Sequence, residues 1–191
     1  MKYTQVPTDT FEKIQLNAGV LLSSFDPSSA SVGRENIIGA TSGGVSFTAT
    51  PTFTDFGEDI DNVPNNAMEL KKLDSWEAKM SGTFVTADTS VAKLLCGAAD
   101  VSGDKVTPRA DVLDTDFTDI WWVGDYSDEN NDTNGGFVAI KLINALSTGG
   151  FSLQSSDKAK GTYSFEFTGH YSIKDMDVVP FEIYIKAGTA A

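Results

Sequence analysis

Val45-Ser-Phe-Thr-Ala-Thr-Pro-Thr-Phe-Thr-Asp-Phe56 alternates between apolar and hydroxyl side chains along most of its length. Every even-numbered residue from Ser46 to Thr54 carries a hydroxyl group. The apolar residues stand between them, at Val45, Phe47, Ala49 and Phe53. A period of two predicts a β-strand with one buried face and one face in water.

A second stretch of the same kind covers residues 74–84. Its apolar positions are Trp76, Ala78, Met80 and Phe84, and its polar positions are Glu77, Lys79, Ser81 and Thr83. Both predicted strands exceed the typical length of about 5–6 residues. A pair this long, polar along one whole face, predicts a tall wall that faces water.

Residues 56–66 join the two predicted strands and are too many for a tight hairpin turn. Connections longer than about 2–5 residues between paired strands are usually functional or disordered. Acidic residues cluster where this loop begins, at Asp55, Glu58, Asp59 and Asp61. Ile60 and Val63 have no local apolar neighbours, so a partner surface is one destination for them.

Residues 88–98 are predicted to form a short helix that flanks the strands. Asp88 or Thr89 can cap its first turn by accepting backbone N–H bonds, and Gly97 is a plausible stop. One apolar stripe follows from the i, i+3, i+4 spacing of Val91, Leu94 and Leu95.

The remaining sequence predicts a mostly-β single domain over residues 14–191, preceded by a polar N-terminal arm at residues 1–13. Residues 42–44, Ser-Gly-Gly, are predicted to be a hairpin turn. Residues 100–116 are predicted to be irregular, with residues 105–109 as an edge-strand candidate that Pro108 limits. Residues 147–161 are predicted to begin and end in turns. Residues 137–146 are apolar on both faces and favour a central strand, with a helix as the alternative. Other predicted strands cover residues 18–22, 36–41, 117–126, 162–173 and 180–185.

The chain is strongly acidic, with 27 acidic and 14 basic residues, a net charge of −13 and a pI near 4.3. Tight DNA binding needs clustered Lys and Arg, so this charge disfavours it. The acidity fits general solubility, and it also fits a surface that must not retain a passing polyanion. Charge alone does not separate these two interpretations.

The sequence contains neither the apolar core of a signal peptide nor a run of about 18 apolar residues that would predict a membrane span. A cytoplasmic, non-secreted protein is therefore the default expectation. Cys96 is the only cysteine, so an intrachain disulfide is excluded. Its neighbours Leu94 and Leu95 favour a small buried side chain at this position.

Signatures of catalysis and of cofactor binding are absent from the sequence. His170 is the only histidine and is predicted on the polar face of a strand. A Cys96–His170 dyad is disfavoured because only Lys93 stands near Cys96 to lower its pKa. One Cys and one His cannot form a zinc site.

Asp128-x-Asn130-x-Asp132 resembles the beginning of a calcium-binding loop. The sixth and twelfth positions are Thr133 and Ala139, where such loops need Gly and Glu. A polar turn is the favoured interpretation, with a calcium site as the alternative.

The longest run of these features resembles a known protein family. Phe53-Thr-Asp-Phe-Gly57, Val63-Pro64, Leu73-Asp-Ser-Trp-Glu77, Met80-Ser-Gly-Thr-Phe84 and the short helix after them together resemble the major tail tube protein of long-tailed, non-contractile bacteriophages. This resemblance implies a β-sandwich or barrel-like tail tube fold with one flanking short α-helix and long loops. It also implies hexameric rings, stacked into a tube through which DNA is ejected.

The same resemblance implies a structural virion protein, made in the host cytoplasm, without enzymatic activity, cofactor or membrane contact. Its partners would be further copies of itself and the tape measure, terminator and tip proteins of the tail, while DNA would pass without specific binding.

By analogy with that family, one set of residues is expected to line the lumen with hydroxyls and acids, and a second set to bridge successive rings together with the arm. The lumen set is Ser46, Thr48, Thr50, Thr52, Thr54, Glu77, Lys79, Ser81 and Thr83. Lys79 departs from such a lining and is expected to pair with Glu77 or another neighbour. The inter-ring set is Glu58, Asp59, Ile60, Asp61 and Val63.

Two other classes of function compete with this interpretation. A monomeric β-sandwich that binds carbohydrate would use Trp76, Trp121 or Trp122 as a stacking platform. Adjacent Trp121 and Trp122 must point to opposite faces of a strand, so one is expected in the core and the other in a second layer or a subunit contact. A small hydrolase would use Cys96 or paired carboxylates, and it ranks last.

Overall fold

A computed structural model of the chain describes residues 5–7, 10, 13–126 and 136–187. The protein is mainly β, with one α-helix in this part of the chain. The strands are β1 (Gln15–Leu22), β2 (Ile37–Gly39), β3 (Thr41–Asp55), β4 (Lys71–Phe84), β5 (Ala99–Ser102), β6 (Lys105–Pro108), β7 (Thr118–Tyr126), β8 (Gly136–Ser147), β9 (Ser152–Gln154), β10 (Thr162–Thr168) and β11 (Phe181–Lys186). The helix α1 spans Thr89–Cys96, and short 3₁₀ turns occupy Arg34–Asn36, Met68–Leu70 and Asp114–Asp116.

Strand β8 joins two layers of an antiparallel sheet. One side of β8 pairs with β7 along nearly its full length. Its other side pairs with β11 from Phe137 to Leu142 and then with β10 at Leu146 and Ser147. The sheet divides there into a first layer, β2-β1-β7-β8-β11, and a second layer, β10-β4-β3, to which β9 adds beside β10. This confirms that residues 137–146 form a central strand, and it gives the protein its sandwich-like shape.

The main core lies between the two layers. The first layer contributes Leu21, Ile120, Trp122, Leu142 and Ala145, the second contributes Ala78, Met80, Phe84, Phe165 and Phe167, and α1 contributes Val91 and Leu95. Stacked aromatic rings fill the second layer, with 5.2 Å between the ring centroids of Phe165 and Phe167. The Asp88 carboxylate accepts a hydrogen bond from the Val91 amide at 2.8 Å, and Gly97 ends the helix at φ +76°, as predicted.

The two adjacent tryptophans point to opposite faces of β7, and both are buried within the chain. Trp122 belongs to the main core and donates a hydrogen bond from its indole nitrogen to the Ala18 carbonyl at 3.0 Å. Trp121 packs with Phe25 and Phe137 in a second cluster on the outer side of the first layer. The side chain of Trp121 therefore belongs to a second core cluster within its own chain.

The predicted hairpin turn at residues 42–44 is wrong. Gly43 and Gly44 lie inside β3, each at φ +83°, and the register with β4 shifts between Thr41 and Val45. Thr41 still pairs with Phe84, so the strand continues through an irregularity rather than reversing. The glycines supply the positive φ that this distortion requires.

The predicted strand over residues 162–173 ends early, at Thr168. The Gly169 amide donates to the Ala78 carbonyl, and a Cβ at Gly169 would lie 2.7 Å from the Pro180 carbonyl oxygen. This close approach turns the chain away from the sheet, so the residues from His170 to Ile173 belong to a loop. Strand β6 (Lys105–Pro108) confirms the edge-strand candidate at residues 105–109. Sequence periodicity missed β5 and β9 because these strands are short.

Strand β4 begins at Lys71 rather than at residue 74. Thr52 pairs with Ser75 and Phe53 pairs with Leu73, so Asp74 is an extra residue in a bulge. The bulge interrupts the alternation of inward and outward side chains. The period of two therefore did not predict that residues 71–73 belong to the strand. The calcium-like sequence at residues 128–133 and most of the proposed N-terminal arm lie outside the described residues.

We predict that Phe167→Ala strongly destabilises the protein, because Phe167 is fully buried between the layers. The expected loss is about 3–5 kcal/mol in free energy of unfolding. Phe53→Ala is the matched control, since Phe53 is 49% exposed, and a loss below about 1 kcal/mol is expected. Urea unfolding of both variants measures the difference, and equal losses would contradict this description of the core.

Candidate functional site

The outer face of the second layer is a continuous surface of polar side chains, which we call the polar wall. Strands β3 and β4 pair in antiparallel register, with Ser46 opposite Ser81, Thr48 opposite Lys79 and Thr50 opposite Glu77. All the hydroxyl residues predicted on β3 are exposed, while Met80 and Ala78 on the inner face of β4 are fully buried. The structure therefore brings all the residues of the predicted lumen set onto one solvent-facing surface of the protein.

The polar wall extends further than the sequence analysis proposed. Strand β10 adds its own outward side chains, because Ser164 pairs with Thr83, Glu166 with Ser81 and Thr168 with Lys79. The bulge in β4 adds Lys72, Asp74 and Ser75, and the Asp74 carboxylate accepts a hydrogen bond from the Thr54 hydroxyl. The wall consists of Ser46, Thr48, Thr50, Thr52, Thr54, Lys72, Asp74, Ser75, Glu77, Lys79, Ser81, Thr83, Ser164, Glu166 and Thr168.

The charges on the polar wall nearly cancel. Its lysines are Lys72 and Lys79, and its carboxylates are Asp74, Glu77 and Glu166, which leaves one net negative charge of the −13 carried by the chain. The expectation of a wall of hydroxyls and acids is therefore corrected to a wall of hydroxyls with balanced charges. Most of the net charge of the chain is therefore carried by residues that do not belong to the wall.

Lys79 is the most central charge of the wall. Its ammonium group lies 2.7 Å from a Glu77 carboxylate oxygen. The hydrogen bond and the charge of Glu77, with a further contribution from the charge of Glu166, raise the pKa of Lys79 above its ordinary value of 10.5. Lys79 is therefore a permanent cation, and its expected pairing with Glu77 is present.

Strand β3 lies at the end of the second layer, so one of its backbone edges is unpaired in the described chain. On β4, the Trp76 amide donates to the Tyr171 hydroxyl at 2.8 Å and the Ala78 carbonyl accepts from Gly169, so both groups point away from β3. Their partners in register, Pro51 and Ala49, must then direct their own backbone groups outward.

In an antiparallel strand, every second residue directs its backbone groups to the same edge. Val45 and Phe47 therefore also direct their N–H and C=O groups outward, as Ala49 and Pro51 do. The free edge therefore offers donors and acceptors at Val45, Phe47 and Ala49, whereas Pro51 offers no donor. A proline in the middle of so long a strand is tolerated because its nitrogen faces the unpaired edge.

The loop between β3 and β4 is fixed at its base by Asp55. The Asp55 carboxylate accepts hydrogen bonds from the Gly57 amide and from the Asn66 amide, both at 2.8 Å. Lys71 stands opposite Asp55 in the β3–β4 register and donates to the Asn66 side chain at 3.3 Å. One carboxylate thus ties the beginning of this loop to its end.

The apolar residues of the loop divide into two groups. Val63 is half-buried, and its side chain approaches buried Gly57 from within the loop, so it does have a local partner. Phe56, Ile60 and Met68 are 58%, 48% and 81% exposed. Glu58, Asp59 and Asp61 are exposed beside them. The loop therefore presents both apolar groups and carboxylates to solvent.

The residues considered for catalysis have other contacts. His170 Nδ1 lies 3.1 Å from the Asn144 carbonyl oxygen, and the ring lies edge-on to Phe117. Cys96 is the last residue of α1 and is half-buried. In the described part of the chain, no three His, Cys, Asp or Glu side chains are grouped so that they could hold a metal ion.

A cleft of about 810 Å³ beside α1 is lined by several carboxylates. Asp88 caps α1, Asp116 binds Arg109, and Asp119 lies 2.9 Å from the Lys141 ammonium group. These three aspartates thus already have partners within the chain, and Glu35 is the fourth carboxylate of the cleft.

The tryptophans considered as sugar platforms are also engaged within the chain. Trp121 and Trp122 are only 7% and 9% exposed. Trp76 is half-buried, edge-on to Phe181 with 5.5 Å between ring centroids. Trp121 and Trp122 are therefore too deeply buried to serve as platforms for sugar stacking.

None of the helices in the described ranges is long and apolar enough to cross a membrane. No protein-family model matches the sequence, and no curated protein matches it. Among solved structures, the chain is similar to one in the "Tail of empty GTA particle computed with helical refinement, C6 symmetry". That match has a TM-score of 0.40 and 10% identity, and it covers 89% of this chain and 96% of the other. Values this low do not decide the fold or the assembly of this protein.

We predict that the order of the loop depends on ionised Asp55. The amides of Gly57 and Asn66 and the charge of Lys71 lower the pKa of Asp55 below its ordinary value of 3.8. Because the folded-state pKa is the lower one, this stabilisation is complete above about pH 3.8 and is lost as the pH falls through the folded-state pKa. Amide hydrogen-exchange protection at Gly57 and Asn66 should fall over the same interval.

At neutral pH, Asp55→Asn should reduce that protection about tenfold, as expected for the net loss of one hydrogen bond. Asp61→Asn is the matched control, because it removes one exposed carboxylate from the same loop. Equal protection in the two variants would show that Asp55 does not fix the loop.

Proposed function

We propose that this protein is the subunit of a virion tail tube, in which copies join side by side into hexameric rings and the rings stack around a channel for DNA. The observation that carries this proposal is the polar wall of β3, β4 and β10, bounded by the free edge of β3. The sequence resemblance to tail tube proteins supports the same assignment.

The free edge of β3 supports the joint between neighbouring subunits. Unpaired strand edges readily bond to another chain, and monomeric proteins usually blunt them. Here the outward backbone groups of Val45, Phe47 and Ala49 meet no blunting charge on their own side chains. We place the joint along these residues and end it at Pro51, which has no amide hydrogen.

The loop from Phe56 to Leu70 supports the contact between successive rings. Its base is closed by Asp55, so its exposed groups are held in place before any partner arrives. Ile60 and Phe56 would bury apolar surface against the next ring, and Glu58, Asp59 and Asp61 would select a basic counterpart. Val63 would act indirectly in this contact, by packing inside the loop against Gly57.

The composition of the wall supports the passage of DNA without retention. Hydroxyl groups keep the surface hydrated, and phosphate binding needs clustered cations that this wall lacks. The remaining partners that we propose are the other tail proteins at the two ends of the tube and along its channel. The site of action would be the virion, after synthesis in the host cytoplasm.

We predict that the purified protein forms long hollow tubes of regular axial repeat at high concentration, visible by negative-stain electron microscopy. Ala49→Pro should abolish these tubes, because it removes an outward amide of β3 without touching a bond to β4. Circular dichroism should show that the isolated variant is still folded.

Pro51→Ala is the matched control, since it restores an amide on the same edge, and its tubes should persist. Tubes of normal length from Ala49→Pro would exclude the β3 edge as the joint. Small monodisperse wild-type particles at every concentration would count against self-assembly.

A further inference from the structure

Lys79 occupies the middle of the polar wall, where a free cation would meet any polyanion in the proposed channel. It lies on the central strand β4, opposite Thr48 on one side and Thr168 on the other. Its side chain is 36% exposed, so it can be reached from solvent. Because one copy of this lysine would stand in every subunit of a ring, free lysines would form a closed ring of positive charge.

Two carboxylates surround this lysine on the same face. Glu77 lies two residues away along β4, and its carboxylate is 2.7 Å from the Lys79 ammonium group. Glu166 stands opposite Ser81 and is thus the diagonal cross-strand neighbour of Lys79. Diagonal neighbours lie about 7–8 Å apart, within reach of long side chains.

Hydroxyl groups hold Glu166 on this face. The Thr148 hydroxyl donates to a Glu166 carboxylate oxygen at 3.1 Å and lies 2.8 Å from the Thr168 hydroxyl. This arrangement places the negative charge beside Lys79 before any ligand is present. The other lysine of the wall, Lys72, likewise has a carboxylate two residues away on its own strand, at Asp74.

We propose that Glu77 and Glu166 form an electrostatic mask over Lys79 that prevents the wall from binding nucleic-acid phosphates. This inference rests on the proposed function, because it takes the wall to be the lining of the channel. To bind a phosphate, Lys79 would have to leave the Glu77 carboxylate while the phosphate approached two negative charges.

Lys79 cannot be neutralised by losing its proton instead. The surroundings of Lys79 raise its pKa, so the lysine stays charged at any pH at which a virion is handled. The wall therefore neutralises its central cation with fixed anions. The cation in turn balances repulsion between the two glutamates across the strands.

The test uses assembled tubes and a fluorescent single-stranded DNA oligonucleotide of about 20 nucleotides, short enough to diffuse into open ends. Tubes are pelleted at several salt concentrations, and the retained oligonucleotide is measured. The main variant is Glu77→Gln with Glu166→Gln, and the second adds Lys79→Gln to that pair. The control variant, Asp104→Asn with Asp111→Asn, removes the same charge from exposed residues outside the wall.

Wild-type and control tubes should bind no oligonucleotide and should carry into the pellet only the amount dissolved in the solution trapped with them. The double glutamine variant should retain more at low salt, and for about three phosphate contacts its affinity should fall roughly ten- to twentyfold between 50 and 200 mM salt. Adding Lys79→Gln should return retention to the wild-type value, which would identify Lys79 as the phosphate contact.

Two results would overturn the mask. In the first, the double glutamine variant retains no more oligonucleotide than the control variant does. In the second, its retention persists after Lys79→Gln. If the tubes form normally and either result is obtained, the mask is wrong but the proposed function still stands. Absence of wild-type tubes under the microscope would instead remove the proposed function, and the mask with it.

Discussion

Three side chains on the inner face of β4, those of Ala78, Met80 and Phe84, are fully buried while the outer face of the strand remains in water, and the other elements are arranged around that asymmetry. Ala78, Met80 and Phe84 have no exposed surface, and the hydroxyl and charged residues between them face solvent. A sheet with one apolar face is stable only when another layer covers that face. Strands β7 and β8 and helix α1 provide this cover, with Trp122, Leu142 and Leu95 as their principal contacts.

The division of the sheet at β8 supplies the cover without closing the structure. Because β8 pairs with β11 at its beginning and with β10 at its end, the two layers share one strand and face each other. The apolar faces of the two layers are thereby covered, but the backbone groups along the outer edge of β3 have no strand to pair with. A fold that protects its faces and leaves a long edge open is suited to a subunit whose sheet continues in a neighbour.

Three carboxylates of the chain hold backbone groups in place rather than binding a ligand. Asp55, Asp88 and Asp116 each accept a hydrogen bond at 2.8 Å from a backbone amide two or three residues further along or back. These contacts fix a loop, a helix and a 3₁₀ turn. Carboxylates at such places stabilise the local backbone conformation and do not define a binding site.

The sequence by itself determined the elements whose signal is local. The alternation over residues 45–56 and 74–84 predicted both long strands and the correct outward residues, because burial of one face repeats every second residue. The sequence also predicted the caps of α1 at Asp88 and Gly97. The ends of a helix leave backbone N–H and C=O groups without helical partners, and residues close in sequence supply the missing hydrogen bonds.

Only the tertiary structure decided features that depend on distant partners. Gly43 and Gly44 suggested a hairpin, yet the pairing of Thr41 with Phe84 carries the strand through them. The bulge at Asp74 and the contribution of Glu166 to the wall depend on the registers of β3 and β10 against β4, and no local pattern encodes a register. The charge balance around Lys79 follows from those registers, so the chemistry of the wall was visible only after the strands had been paired.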